Sequence, residues 1–249
     1  MKIIVNGFNG KMGREVVKMA ENGCYNSTVV AGVDINNSVA EKFPIYEKLN
    51  DFSQKADCVI DFTHHSVTKE LMDFCVKTKI PVVIATTGHT KEEMEIIKNA
   101  SKSVPVFMSA NMSVGVSLLV NLAKTAVRAF PNANIEIIEK HHNRKLDVPS
   151  GTALMIADAI KNERKDLEYN IGRSENGKRK ENELGIHSLR MGNVVGEHEV
   201  IISTDTQIIT LKHEAQTRSL FAEGALAAAE FLVSCKENRI YNMQDMINR

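Results

Sequence analysis

Lys2-Ile3-Ile4-Val5-Asn6-Gly7-Phe8-Asn9-Gly10-Lys11-Met12-Gly13 opens the chain, and its reading decides the fold. The run from Lys2 to Asn6 is short, apolar and rich in β-branched residues, which predicts a strand. A glycine turn follows, and then a helical pattern carrying Met12, Val16, Val17 and Met19. Strand, glycine turn and helix in that order are what a dinucleotide-binding βαβ unit requires, because the backbone must approach a diphosphate closely at a helix N-terminus. Thr28 to Val33 reads as the second strand and leads into Asp34, about twenty residues beyond the last glycine, where an acid can accept hydrogen bonds from the adenosine ribose. Two residues separate Gly7 from Gly10, a departure from G-x-G-x-x-G, and taken alone the motif is also compatible with a tight turn. The flanking elements and the acid strengthen the nucleotide reading.

The alternation continues. Asp57 to Phe62, Pro81 to Ala85 and Val104 to Met108 read as strands, with helices over Ser66 to Thr78 and Lys91 to Ser101 between them. This predicts a parallel sheet with helices on both faces, whose ligands collect at the carboxyl ends of the strands. Those ends carry Phe62-Thr63-His64-His65, Thr86-Thr87-Gly88-His89 and Ser109-Ala110-Asn111-Met112-Ser113. Small polar residues there either line a nicotinamide pocket or serve as helix caps and turns.

After Ser113 the pattern changes. A long apolar-periodic helix, Val114 to Phe130, leads to a strand from Asn134 to Glu139 and then to Lys140-His141-His142-Asn143-Arg144-Lys145-Leu146-Asp147-Val148-Pro149-Ser150-Gly151-Thr152-Ala153. Pro149 disfavours helix in the residue before it, Ser150 is a preferred N-cap, and Gly151 to Ala157 can continue as helix. The first amides of that helix lack internal partners and, backed by the helix dipole, bind carboxylate or phosphate; Gly151 permits close approach. Lys145 is placed to neutralise a second acidic group, and histidine suits proton transfer near neutral pH. His141 and His142 can meet one ligand only if the chain leaves the strand there. The alternative is a solvated basic loop before an ordinary capped helix. Beyond it come a polar stretch, Asn162 to Glu183, then strand-like runs at 185–190, 197–203 and 207–213, which predict a largely antiparallel sheet in a second, α+β domain. The final helix, Ser219 to Cys235, is rich in alanine and is a candidate to return to the first domain.

Composition is compatible. The chain has 249 residues, enough for one or two domains. Its 31 basic and 31 acidic residues cancel, which argues against nucleic acid or an acidic membrane as the main partner. Cys24, Cys58, Cys75 and Cys235 lack C-x-x-C spacing and read as reduced thiols of a cytoplasmic protein, with no metal site expected. No signal-peptide architecture and no apolar run of membrane-spanning length is found.

Together these pieces resemble the dihydrodipicolinate reductase family of lysine and diaminopimelate synthesis. The likeness covers nearly the whole chain and rests on Gly7-x-x-Gly10-x-Met12-Gly13, Asp61-Phe62-Thr63, Ala85-Thr86-Thr87-Gly88 and Ser109-Ala110-Asn111-Met112-Ser113-Val114-Gly115. It rests above all on Glu139-x-His141-His142-x-x-Lys145-x-Asp147-x-Pro149-Ser150-Gly151-Thr152-Ala153. Val195-Gly196-Glu197-His198 and His213-x-Ala215-x-x-Arg218-x-x-Phe221-Ala222-x-Gly224 add to it. The resemblance implies a Rossmann-type α/β domain, 1–112 plus 219–249, binding NADH or NADPH, and an inserted α+β domain, 113–218, that binds a cyclic dicarboxylate and assembles a homotetramer. It implies reduction of 4-hydroxy-tetrahydrodipicolinate to tetrahydrodipicolinate with loss of water. Gly151 and Thr152 would hold one carboxylate with help from Lys145 and His142, and His141 and Lys145 are the candidate proton donors. The cofactor would lie against Gly7, Asn9, Gly10, Lys11, Met12 and Gly13, with Asp34 at its ribose. Phe62, Thr63, Ala85, Thr86, Thr87, Gly88, Ser109, Ala110, Asn111, Met112 and Arg218 complete that set.

Two departures bear on the cofactor. Ala85 stands where the family commonly has glycine, a small change. Asp34 is followed by Ile35-Asn36-Asn37, with no arginine for a 2′-phosphate, which favours NADH; Lys11 and His64 are the counterweight. Two rivals share the architecture: a dinucleotide sensor without turnover, and a homoserine- or amino-acid-type dehydrogenase. Neither has an evident need for proton donors beside a carboxylate-binding helix start.

Overall fold

The computed structural model describes residues 1–36 and 41–248. Asn37, part of the stretch that bears on cofactor choice, lies outside the described residues. The chain divides into two compact units, Met1–Ser113 with Ser219–Arg249, and Val114–Arg218.

The first unit begins with β1 (Lys2–Asn6), α1 (Lys11–Glu21), β2 (Thr28–Val33), β3 (Ile45–Tyr46) and β4 (Cys58–Asp61). It continues through α2 (Thr68–Thr78), β5 (Val82–Ile84), α3 (Lys91–Ala100) and β6 (Val106–Met108). The second unit holds α4 (Val114–Ala129), β7 (Asn134–His141), α5 (Gly151–Glu163), β8 (Glu168–Ile171), β9 (Glu183–Arg190), β10 (Gly196–Ser203) and β11 (Ile208–Ala215). The chain then returns to the first unit as α6 (Ser219–Val233), β12 (Ile240–Tyr241) and α7 (Met243–Ile247).

Among the described residues the first unit forms one parallel sheet in the order β12-β6-β5-β4-β1-β2-β3. Both faces are covered, so β1 from Ile3 onward, β4 and β5 are buried continuously rather than alternating. One core packs Ile3, Val5 and Ile60 with Val16 and Val17 of α1 and with Ala225, Leu226 and Ala229 of α6. The other packs Ile4, Val59 and Ile84 with Leu71 and Phe74 of α2 and Ile97 of α3. Strand order reverses between β1 and β4, which puts the crevice of an open α/β sheet beside Gly7 and Thr63.

The second unit is a mixed sheet, β11-β10-β7-β9-β8. β10 runs antiparallel to β7 and β11, but β7, β9 and β8 are parallel to one another, which corrects the largely antiparallel sheet expected from the sequence. The reason is the route: α5 carries the chain back across the sheet between β7 and β8, and such a crossover delivers a parallel strand. β8 itself lies inside the stretch that reads only as polar, because an edge strand needs little apolar surface. β7 alternates, with Ile135, Ile137, Glu139 and His141 turned inward. The two isoleucines pack against Leu119 and Ala123 of α4 and Ile156 and Ile160 of α5. A cis peptide joins Val148 to Pro149 just before α5.

Candidate active site

The glycine loop of the first unit is built by close approach. Gly7 adopts φ +79°, and a Cβ there would stand 2.8 Å from the Phe62 carbonyl oxygen. A Cβ on Gly13 would lie 2.1 Å from the Gly7 oxygen, so only hydrogen lets α1 start this tightly against β1. Gly10 is the N-cap of α1 and supplies no side-chain cap, leaving the first turn at Lys11, Met12 and Gly13 open to an anion. Asp34 shapes the loop's far side: its Oδ2 accepts the Asn9 amide at 3.1 Å and its Oδ1 the Asn36 amide at 2.9 Å. Arg14, which sequence reading passed over, holds the Asn9 side chain through Nε at 3.1 Å. A cavity of about 460 Å³ lies along this edge, lined by Gly7, Gly10, Asp34, Ile35, Thr63 and His64 among others. A glycine cradle, an open helix start and an acid beside one cavity fit a dinucleotide.

The neighbouring strand ends are tied to one group that the sequence did not single out for this role. Asp61, 2% exposed at the end of β4, accepts hydrogen bonds from Asn6 Nδ2 (2.7 Å), Thr63 Oγ1 (2.8 Å) and Thr86 Oγ1 (2.6 Å). Burial pushes its carboxyl above the ordinary range, with the three side chains opposing that shift. Thr63 and Thr86 are thereby fixed, while Thr87 and Gly88 are exposed, Gly88 at φ +83°. Beyond β6, Ser109 Oγ donates to the Asn111 carbonyl at 2.7 Å and Asn111 Oδ1 accepts the Ser113 amide at 2.8 Å, while Ala110 is exposed. Met112 is packed in the core, so its contribution to a ligand is limited to its backbone.

In the second unit β7 ends at His141, and His142 already lies outside the strand, so the two imidazoles need not face opposite ways. α5 starts at Gly151 with Ser150 as its N-cap, the hydroxyl accepting the Ala153 amide at 3.1 Å. Lys145 lies in the intervening turn, its Nζ 2.8 Å from Asp147 Oδ1. The Lys145 ammonium holds the Asp147 carboxyl below its ordinary range. A carboxylate of the chain itself therefore pairs with Lys145, one of the donors expected to receive one.

Behind His141 stands Glu139, fully buried. Its Oε2 accepts His141 Nδ1 at 2.6 Å, its two oxygens take both Arg190 Nη atoms at 2.8 and 2.7 Å, and its Oε1 takes the Ser150 amide at 3.1 Å. Burial alone would raise this carboxyl, but the hydrogen bonds from His141 and Arg190 hold it far below its ordinary value. His198, opposite Glu139 on β10, lies 3.0 Å from the Ser150 hydroxyl through Nε2 and is pushed down to about 4 by burial. The His142 Nδ1 atom is enclosed without a hydrogen-bond partner, and partial burial together with the charges of Arg144 and Arg218 lowers its affinity for a proton. Arg218 thus belongs to the second unit. A histidine, a lysine and a helix start lie within one short segment, an arrangement chemically able to receive an anion and supply a proton.

Two family models cover the chain: the N-terminal part of dihydrodipicolinate reductase matches residues 1–112, and its C-terminal part matches residues 115–247. The chain belongs to the dihydrodipicolinate reductase family. It is 47% identical to the 4-hydroxy-tetrahydrodipicolinate reductase of Caldanaerobacter subterraneus subsp. tengcongensis, across 100% of this chain and 99% of that protein. It is 43% identical to the one from Clostridium tetani, across 100% of this chain and 97% of that protein. A dipicolinate-bound dihydrodipicolinate reductase from Paenisporosarcina sp. TG-14 shares the fold with a TM-score of 0.82 at 24% identity, over 97% of each chain. Reductase relatives of full length favour neither the sensor nor the homoserine-type alternative.

Proposed function

We propose that this chain reduces 4-hydroxy-tetrahydrodipicolinate to tetrahydrodipicolinate, with loss of water, in lysine and diaminopimelate synthesis, using NADH or NADPH. The observation that carries the reading is the segment from His141 to Thr152, which sets an imidazole and a lysine before an open helix start in a chain that aligns end to end with reductases.

One substrate carboxylate is received by the amides of Gly151 and Thr152 and by Lys145, displacing Asp147 from Lys145. His142 helps hold the ring. When bound, the reduced nicotinamide supplies hydride. Loss of the 4-hydroxyl as water leaves a conjugated imine, and hydride addition to it drives negative charge toward the ring nitrogen, where the cations of this segment stabilise it. His141 protonates the resulting enamine, with Lys145 essential to binding and the second candidate donor. In the first unit Gly7, Asn9, Gly10, Lys11, Met12 and Gly13 cradle the diphosphate. Asp34 accepts from the ribose. Phe62, Thr63, Ala85, Thr86, Thr87, Gly88 and the loop from Ser109 to Met112 surround the nicotinamide, with Arg218 as a further contact.

NADH is the preferred donor in this reading, supported by the Asp34 carboxylate, which would repel a 2′-phosphate. Lys11 and His64 are the groups that would admit NADPH. The protein works as a homotetramer in the cytoplasm; among the described residues no helix is long and apolar enough to cross a membrane. The test follows NADH and NADPH oxidation with the product of a coupled dihydrodipicolinate synthase as substrate, alongside His141→Ala and Lys145→Ala. Turnover that collapses in both variants while nucleotide still binds supports the reading, and a folded, nucleotide-binding wild type without turnover overturns it.

A further inference from the structure

We infer that Glu139 is the positioning residue of the proton donor: it pins the Nδ1–H of His141, so that the opposite ring nitrogen, Nε2, is the one that gives up a proton. The inference rests on the proposed role of His141.

The geometry is unusually constrained for a carboxylate. Glu139 is fully buried on the inner face of β7, two residues before His141, so the alternation of the strand sets both side chains on one face. Its bond to Nδ1 is 2.6 Å, in the range of charge-assisted hydrogen bonds. Arg190, on β9, grips both carboxylate oxygens, which keeps Glu139 from rotating and keeps it ionised. An ionised carboxylate only accepts, so the shared hydrogen must belong to His141. A proton leaving Nε2 of the imidazolium leaves a neutral ring with Nδ1–H still on Glu139, and no proton passes to the carboxylate.

The other edge of the ring is kept clear. Gly196 of β10 faces it, and a Cβ there would stand 3.1 Å from Nε2. His198, a second imidazole against this ring, packs edge to face at 5.2 Å between centroids and turns its Nε2 to Ser150 instead. Glu139 Oε1 also takes the Ser150 amide, and Arg190 Nη2 donates to the Asp147 carbonyl at 2.8 Å. The same carboxylate thus also touches the N-cap residue of α5, through the Ser150 backbone. A catalytic imidazole oriented by a buried carboxylate follows the logic of base and orienter in other acid–base sites.

The test uses the full chain labelled with nitrogen-15 and long-range proton–nitrogen correlation of the histidine rings, at a pH above the imidazole titration. The His141 signals among the eight histidines are assigned by their loss in His141→Gln. The wild type should show His141 as the Nδ1–H tautomer. In Glu139→Gln that preference should be lost and kcat should fall at least about tenfold, while affinity for pyridine-2,6-dicarboxylate stays within about threefold. Glu139→Asp should recover part of the rate. An Nε2–H tautomer in the wild type overturns the inference even if Glu139→Gln does not fold. So does an unchanged kcat, or a dicarboxylate affinity that falls in step with it, which would make Glu139 a support of the loop alone. A wild type with the Nδ1–H tautomer but no turnover counts against the proposed reaction and leaves the positioning geometry standing.

Discussion

Thr86 at the end of β5 donates its hydroxyl to Asp61 at the end of β4 across 2.6 Å, inside the protein. Because Asn6 and Thr63 share the same carboxyl group, three adjacent strand ends are fixed by one residue. Removing it leaves three polar side chains without their acceptor. Asp61→Ala should cost about 1–3 kcal/mol of stability, the range for leaving a buried polar group without its partner, and should weaken nucleotide binding severalfold. Thermal unfolding and a nicotinamide fluorescence titration read the two effects separately.

Asp147 pairs with Lys145, the cation proposed to receive a substrate carboxylate. It is mostly exposed, and an exposed ion pair contributes about 0–1 kcal/mol, so Asp147→Asn should tighten pyridine-2,6-dicarboxylate by up to about fivefold. Calorimetric titration at low salt is the measurement, and weaker binding would show that Asp147 orders the loop rather than occupying the site.

Gly13→Ala forces a methyl group into the Gly7 carbonyl, and Gly224→Ala places one 1.6 Å from the Met112 oxygen, where α6 crosses the end of the sheet. Each should destabilise by about 1–3 kcal/mol through overpacking. The Gly13 change should also abolish nucleotide binding. Gly23→Ala tests backbone conformation alone, since open space surrounds a Cβ there but φ is +79°.

Acid should loosen the second unit before its carboxylates protonate. His198 has a native value of about 4 against 6.5 for the free side chain, so between those pH values the unfolded chain binds a proton that the native chain refuses. Stability therefore rises with pH across that window and is lost as pH falls from 6.5 toward 4, by about 3 kcal/mol from this residue. His142 and His213, also lowered, act in the same direction. Glu139, lowered, adds its loss only as pH falls below the ordinary carboxylate range. Denaturant midpoints measured across this range should flatten in His198→Gln.

Local order was the legible part of this sequence. Glycine spacing, β-branched runs and the Pro149-Ser150-Gly151 cap each depend on neighbours within a few residues, and β1, α1, β2 and α5 follow from them. Pairing partners were not legible in the same way. β9 joins β7 rather than forming a hairpin with β10, because register depends on which residues meet across the sheet. The site divides along the same line. His141, Lys145 and Gly151 stand together in sequence, whereas Arg190 reaches Glu139 from 51 positions away, and Asn6 reaches Asp61 from 55. One signal was available: an acid two places before a histidine on a strand shares its face, so Glu139 could have been named as its neighbour.

The return of α6 to the first unit sets an order on how this chain matures as it leaves the ribosome. Ala222, Ala225, Leu226, Ala228 and Ala229 fill the core beneath one face of the parallel sheet, and they are made only after the whole of the second unit. The emerging first 113 residues must wait with Ile3, Val5 and Ile60 incompletely covered, while the second unit, continuous from Val114 to Arg218, can close as soon as it emerges. Nascent-chain arrest before Ser219 should therefore yield a protease-resistant second unit attached to a protease-sensitive first, and the nucleotide crevice should become competent only with the last thirty or so residues.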